Sequence, residues 1–155
     1  MCEVRSLHIA FYRARYGSAW DRLVACYTRG PYSHCELLFP AGIMYSAIRR
    51  RGLRFAFMEH PEQYRLVELP DANLSAARLW CELHAGEKYS VAEMLACTLP
   101  LADRVIQRSA LWYCSMLCAH VFNRFGGAVA EVDERVSPNE LCRWLHTTPW
   151  TDGCG

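Results

Sequence analysis

The sequence predicts an α+β fold on two observations. Apolar residues alternate with period two through the first half of the chain, and they recur at helical spacing, with capping signals, through the second. Strands followed by helices bury their apolar faces against each other, a sheet on one side and helices on the other. At 155 residues and 52% hydrophobic content, the chain can bury roughly 70% of its unfolded surface as one unit. No repeat, low-complexity tract or Pro/Gly/Ser linker divides it. The expectation is one domain over residues 1–146 and a loose tail over 147–155.

Residues 7–12 read as the first strand. Residues 20–27 read as a short helix that ends before Gly30-Pro31, because glycine and proline interrupt regular structure. A hairpin follows, with strands 33–39 and 43–48 joined by the turn Pro40-Ala41-Gly42. Residues 53–57 and 65–69 complete the strands. Residues 74–84 then take helical spacing, and Gly86 stops them. Ser90-Val91-Ala92-Glu93 is a capping box, in which serine and glutamate side chains satisfy opposite backbone N–H groups; it opens a helix toward Pro100. A third helix covers residues 114–125 and halts at Gly126-Gly127. Ser137-Pro138-Asn139-Glu140 opens the last, with a serine cap, proline at the first helical position and glutamate at the third.

Composition narrows the function classes. With 17 Lys and Arg against 16 Asp and Glu, the net charge is +1, so no global field draws the protein to nucleic acid or to an acidic membrane. Nine cysteines, an odd number, cannot all pair within the chain. Met1-Cys2-Glu3-Val4-Arg5 lacks the cationic and apolar regions of a secretory signal. A reducing, cytoplasmic setting is the expectation, with Cys26, Cys81, Cys97, Cys118 and Cys142 acting as small core hydrophobes. The longest uncharged stretch, residues 109–123, is shorter than the ~20 residues that span a bilayer. No membrane insertion is expected.

Two short segments carry chemistry. His34 lies in the strand pattern Tyr32-Ser33-His34-Cys35-Glu36-Leu37, and Cys114, in Trp112-Tyr113-Cys114-Ser115-Met116, opens a helix. A cysteine is nucleophilic as thiolate, and a helix N-terminus beside an imidazole lowers its pKa enough to supply that form near neutrality. If Phe39 pairs with Ile43 across the turn, Glu36 faces Ser46 and His34 faces Ile48. Alternation then puts His34, Glu36 and Ser46 on one face and Cys35, Leu37 and Phe39 on the other. Glu36 and Ser46 are both candidates to orient the imidazole.

On the helix, Leu117, Cys118, Val121, Phe122 and Phe125 form an apolar stripe that includes Cys114. The thiol therefore enters the sheet–helix interface beside unpaired N–H groups and the positive end of the helix dipole. The same N–H groups suit an oxyanion. The structural alternative stands beside this reading: a core-helix cysteine that is inert, and a strand histidine that is only hydrogen-bonded.

Other patterns carry less. Cys114, Cys118 and His120 have zinc-like spacing, but on one helix His120 points away from both cysteines, so no metal is expected. Arg49-Arg50-Arg51 with Arg54 makes a small basic patch at a hairpin end, suited to solvent or to an acidic substrate group. Glu59-His60-Pro61-Glu62 lacks the second histidine of a zinc-protease helix. No phosphate-binding glycine loop or dinucleotide fingerprint occurs, and no cofactor is expected.

Tyr32-Ser33-His34-Cys35-Glu36-Leu37-Leu38-Phe39, then Met44-Tyr45-Ser46-Ala47, then Tyr113-Cys114-Ser115 resembles the circularly permuted branch of the NlpC-type papain-like cysteine hydrolases, distantly akin to the lecithin-retinol acyltransferases. Those are small bacterial and phage proteins in which the catalytic histidine precedes the cysteine. The likeness in order and placement spans residues 7–145. It implies a permuted papain-like fold, with an antiparallel sheet packed against helices, the nucleophile opening a central helix and the base on a facing strand. Cys114 then matches the nucleophile and His34 the base. The third, orienting residue of such proteins usually lies on the strand after the histidine, where Ser46 stands. Glu36 is its rival and the preferred one, because a carboxylate stabilises an imidazolium better than a hydroxyl does. Two residues depart from the family pattern: Met116 stands where a glutamate is common, and Cys35 where an apolar residue is.

The leading expectation is a thiol hydrolase, an amidase or peptidase acting through a Cys114 thioester with His34 as base, on peptide substrates of the peptidoglycan kind. One alternative is an acyltransferase, in which the same thioester passes to an amine or alcohol. The other is a non-catalytic structural or binding protein, such as a phage component, that keeps the fold without the chemistry.

Overall fold

In the computed structural model, which describes residues 6–48, 51–89, 112–127 and 130–147, the strand-patterned half of the chain forms one sheet. Its strands are β1 (Leu7–Arg13), β2 (Tyr32–Phe39), β3 (Ile43–Ile48), β4 (Gly52–Phe57) and β5 (Tyr64–Leu69). They lie in the order β4-β3-β2-β1-β5, and every neighbouring pair is antiparallel. A helix α1 (Ala19–Tyr27) joins β1 to β2, and the second half supplies α2 (Leu74–Leu83), α3 (Cys114–Phe125) and α4 (Pro138–Thr147). The architecture is α+β, as the pattern of periods predicts.

Boundaries move by a residue or two from the predicted ones. Helix α1 begins earlier because Ser18 and Asp21 form a reciprocal capping box, and α4 runs through Thr147, one residue into the predicted tail. Residues 148–155 lie outside the described residues, as do Arg49, Arg50, and the Ser90 to Glu93 capping box with its helix. No helix among the described residues is long and apolar enough to cross a membrane.

Alternation sorts the sheet into two faces. Ile9 and Phe11 of β1, Leu37 and Phe39 of β2 and Tyr45 of β3 are fully buried against Leu117 and Phe122 of α3 and Leu141 of α4. Each such side chain contributes roughly 1.5–3 kcal/mol by leaving water. The opposite face carries a smaller cluster, Ala10, Leu38 and Met44, with Met58 and Tyr64 against it. The hairpin turn reverses the chain through left-handed backbone at Ala41 (φ 62°) and Gly42 (φ 73°). Gly42 adopts that conformation without steric cost, whereas Ala41 carries about 1 kcal/mol of it.

Two irregularities in β2 position the site. The β2–β3 ladder keeps the predicted register at Phe39↔Ile43, Leu38↔Met44 and Leu37↔Tyr45, and there it stops. The expected pairings of Glu36 with Ser46 and of His34 with Ile48 do not continue the ladder. Instead β3 stays with β4 as far as Ile48↔Gly52, β2 stays with β1 as far as Arg13↔Tyr32, and the two strands part.

The second irregularity is a bulge. The β1–β2 register slips between Tyr12↔His34 and Arg13↔Tyr32, so Ser33 is the extra residue. Tyr32 consequently turns into the main core, its ring 5.5 Å from that of Phe11. Buried Asn139 of α4 holds this kink: its Oδ1 accepts from Tyr32 N at 3.0 Å, and its Nδ2 donates to Tyr32 O at 2.7 Å and to Thr28 Oγ1 at 2.6 Å. Ser33 Oγ donates to Asp21 Oδ1 of α1 at 2.9 Å.

Candidate active site

Cys114 is the first residue of α3 and is 3% exposed. The residue before it, Tyr113, is extended, and its side chain makes no capping hydrogen bond at the helix start. The first-turn N–H groups are therefore left for an anion, which the helix dipole also favours. Bonds to the segment preceding α4 fix the helix near both of its ends. Tyr113 Oη donates to Glu134 O at 3.1 Å and Ser115 Oγ to Val136 O at 2.6 Å. Asn123 pairs with both backbone groups of Val132, at 2.8 and 2.9 Å.

A cleft of about 330 Å³ opens where β2 and β3 part, with His34 and Glu36 on one side, Ala47 and Ile48 on the other, and Cys114 in its wall. Here the thiol and the imidazole meet. Burial works against an imidazolium at His34, but the Cys114 charge and hydrogen bond, reinforced by Glu36, outweigh it and hold the ring well above its ordinary value. For Cys114, a hydrogen bond from the Cys35 thiol is the largest influence. Burial opposes it, and the His34 charge and hydrogen bond, with the Cys35 backbone N–H, complete a shift well below the ordinary thiol value. The Cys35 thiol moves the other way, raised by burial and then by its bonds to Cys114 and Cys118. These shifts favour thiolate at Cys114, imidazolium at His34 and neutral thiol at Cys35.

The carboxylate completes the chain. His34 Nε2 lies 3.3 Å from Glu36 Oε1, the two side chains 25% and 5% exposed, which leaves Nδ1 as the nitrogen for Cys114. Burial alone would raise Glu36; the His34 bond and charge, then the Ser46 and Tyr64 hydroxyls, bring it below its usual value instead. Ser46 is fully buried and acts on Glu36 rather than on His34. Its Oγ and Glu36 Oε2 both lack a partner at good hydrogen-bond geometry among the described residues. Of the two candidate orienting groups, the carboxylate is the one bonded to the imidazole.

The structure thus brings Cys114, His34 and Glu36 into one chain, with Ser46 behind the carboxylate. Three supporting residues escaped the sequence reading. Cys35 reads as a core position, and the packing of α3 on that face of β2 brings its thiol to Cys114. Tyr64 belongs to β5, two strands from β2, and its route to Glu36 passes over Ala10, the small residue paired with both Glu36 and Leu66. Asn139 sits in a capping sequence whose local logic hides its bonds to Tyr32.

The other flagged groups fall elsewhere. His120 Nδ1 pairs with Glu134 Oε1 at 2.8 Å, its ring 5.1 Å from Trp80 and 5.0 Å from Trp112. His60 pairs with Glu62 on the surface at 3.5 Å.

Comparison with protein-family models, with curated proteins and with solved structures returns no match to this chain. Its function has to be read from the geometry of the thiol–imidazole–carboxylate chain.

Proposed function

We propose that the protein is a cysteine hydrolase of the amidase or peptidase kind, built as a circularly permuted papain-like domain of the NlpC type. The observation that carries this reading is the pairing of Cys114 with His34 at the start of α3. The thiol is shifted down and the imidazole up, with Glu36 on the second ring nitrogen. The order of histidine before cysteine and the nucleophile at a helix start both agree with that family.

In this mechanism the Cys114 thiolate attacks the substrate carbonyl, and the carbonyl electron pair moves to oxygen. First-turn N–H groups of α3 stabilise that oxyanion. His34 passes its proton to the leaving amine as the C–N bond breaks, leaving a thioester on Cys114 and a neutral imidazole. His34 then takes a proton from water as the water attacks, and the thiolate departs with the acid product. Glu36 keeps the imidazole ring oriented and stabilises its charged form through both steps. A thiolate flanked by the further thiols of Cys35 and Cys118 fits the reducing cytoplasm.

One observation favours the acyltransferase alternative. The cleft is lined by Tyr12, Trp20, Tyr64 and Tyr89 together with Val24 and Ile48, a wall that suits an apolar acyl chain. The two readings share the thioester and differ in what resolves it. Intact-mass spectrometry with activated acyl esters and peptide amides tests both. The expected result is an acyl adduct on Cys114, absent in Cys114→Ala, formed about 100-fold more slowly in His34→Ala and cleared by water. Faster clearance by added amine or alcohol assigns acyl transfer. No adduct with either substrate class, together with a Cys114 that alkylates no faster at neutral pH than the other thiols, would leave a non-catalytic protein.

A further inference from the structure

We propose that an anion-binding subsite, in the hollow lined by Arg13, Arg15 and Arg22, lies beside the thiol cleft and takes a carboxylate or phosphate group carried by the substrate. Only the assignment of that anion to the substrate rests on the thiol-enzyme reading; the anion site itself does not.

The three arginines line an open hollow of about 690 Å³ that also touches Ala14, Ala25 and Tyr32, with no carboxylate in its walls. In a chain of net charge +1, three cations around one hollow are a strong local concentration. Among the described residues none of the three is ion-paired, the pairs there being those of His34, His60, Arg78 and His120.

Arg13 Nη1 donates to the backbone oxygen of Glu62 at 3.0 Å. Arg15 Nη2 donates to Tyr16 Oη at 2.7 Å, its guanidinium 4.7 Å from that ring's centre. Neutral acceptors hold both side chains, and neither guanidinium is ion-paired among the described residues. The nearest acid in sequence, Asp21, is occupied by the hydroxyls of Ser18 and Ser33 at 2.6 and 2.9 Å, and it faces the thiol cleft rather than the hollow. Three like charges repel one another around the hollow. A bound anion relieves that repulsion and offers guanidinium groups the paired acceptors their geometry fits.

Position links the hollow to the chemistry. Three pairs of consecutive residues divide between the two cavities: Tyr12, Asp21 and Ser33 line the cleft, while Arg13, Arg22 and Tyr32 line the hollow. Around α1, Trp20, Asp21 and Val24 turn one way and Arg22 and Ala25 the other, so the cavities occupy adjoining flanks of one helix. A substrate held at Cys114 and reaching along α1 would place an acidic group among the arginines. The substrate class is therefore an acyl compound or peptide that bears an anionic group some distance from the carbonyl under attack.

The first test is an NMR titration of the full, isotope-labelled chain at low ionic strength, with inorganic phosphate and acetate as separate probes and chloride as control. Saturable shifts confined to the hollow are expected. The double variant Arg15→Gln/Arg22→Gln should weaken the affinity at least about tenfold, and Cys114→Ala should leave it unchanged. Preference for phosphate or for acetate assigns the anion. Shifts that do not saturate, that chloride reproduces, or that survive in the double variant would overturn the site.

The second test compares kcat/KM for an acyl ester bearing a remote carboxylate with that for its neutral isostere. The anionic-to-neutral ratio should fall about tenfold in the double variant; an unchanged ratio would overturn the link to substrate. Failure of the enzyme reading appears instead as a missing Cys114 adduct and leaves the phosphate titration intact.

Discussion

At the scale of single residues, Cys35 shows how a position that reads as core acquires a chemical role. It is fully buried on the helix-facing side of β2, yet its thiol and backbone N–H both help hold Cys114 below the ordinary thiol value. A thiol is a weak donor to a neutral acceptor, but an ionised acceptor strengthens the bond, and at the fully buried position of Cys35 little water competes with it. Cys35→Ala should therefore raise the Cys114 pKa and slow its alkylation by iodoacetamide near neutral pH about tenfold, with little loss of fold because the volume change is small. Cys35→Ser, which keeps a donor, should retain most of the rate. Peptide-resolved alkylation kinetics between about pH 5 and pH 9 separate the cases; equal slowing in both variants would trace the effect to packing rather than to the donor. The meeting of His34, Glu36 and Cys114 was legible from residue type, strand alternation in β2 and the helical spacing that opens at Cys114. Cys35 was not, because alternation places it on the face away from His34.

At the scale of elements, the hairpin register and the start of α3 follow from local signals, and the site's geometry depends on where those signals end. The Pro40-Ala41-Gly42 turn fixes the register for three pairs. The bulge at Ser33 involves partners outside the hairpin, Asn139 on α4 and Asp21 on α1, which no local pattern announces. Asn139 stands in for a ladder neighbour by satisfying both backbone groups of Tyr32. Asn139→Ala leaves those groups buried and unpaired, so it should destabilise the protein by about 2–3 kcal/mol, read from the urea unfolding midpoint. Because the kink also aims His34, Cys114 alkylation in the folded variant should slow as well. Asn139→Asp retains the acceptor for Tyr32 N and should lose less. A stability loss with unchanged Cys114 reactivity would separate the bulge from the aim of the imidazole.

At the scale of the whole molecule, the thiol–imidazole pair ties stability to pH with a definite sign. His34 is raised, so its contribution is fully present below about 6.5, the unfolded imidazole value, and is lost as pH climbs through its folded value. Cys114 is lowered, so its contribution is fully present above about 8.5, the unfolded thiol value, and is lost as pH falls through its folded value. Below about 6.5 the unfolded chain holds imidazolium and thiol, one proton more than the folded pair, and stability rises with pH. Above about 8.5 it has lost the thiol proton while folded His34 keeps its own, and stability falls with pH. Between these values the proton counts match and the contribution is flat. Urea unfolding of the native protein and of Cys114→Ala, from about pH 5 to about pH 10, should give a stability difference that is greatest on that plateau. It should shrink on either side by at most about 1.4 kcal/mol per pH unit. Glu36, lowered in the fold, weakens both proteins only as pH falls toward its own folded value, below the range compared. A stability difference that stays constant across the range would mean that no thiolate–imidazolium pair forms at neutral pH. The chemical basis for Cys114 as a nucleophile would then be gone.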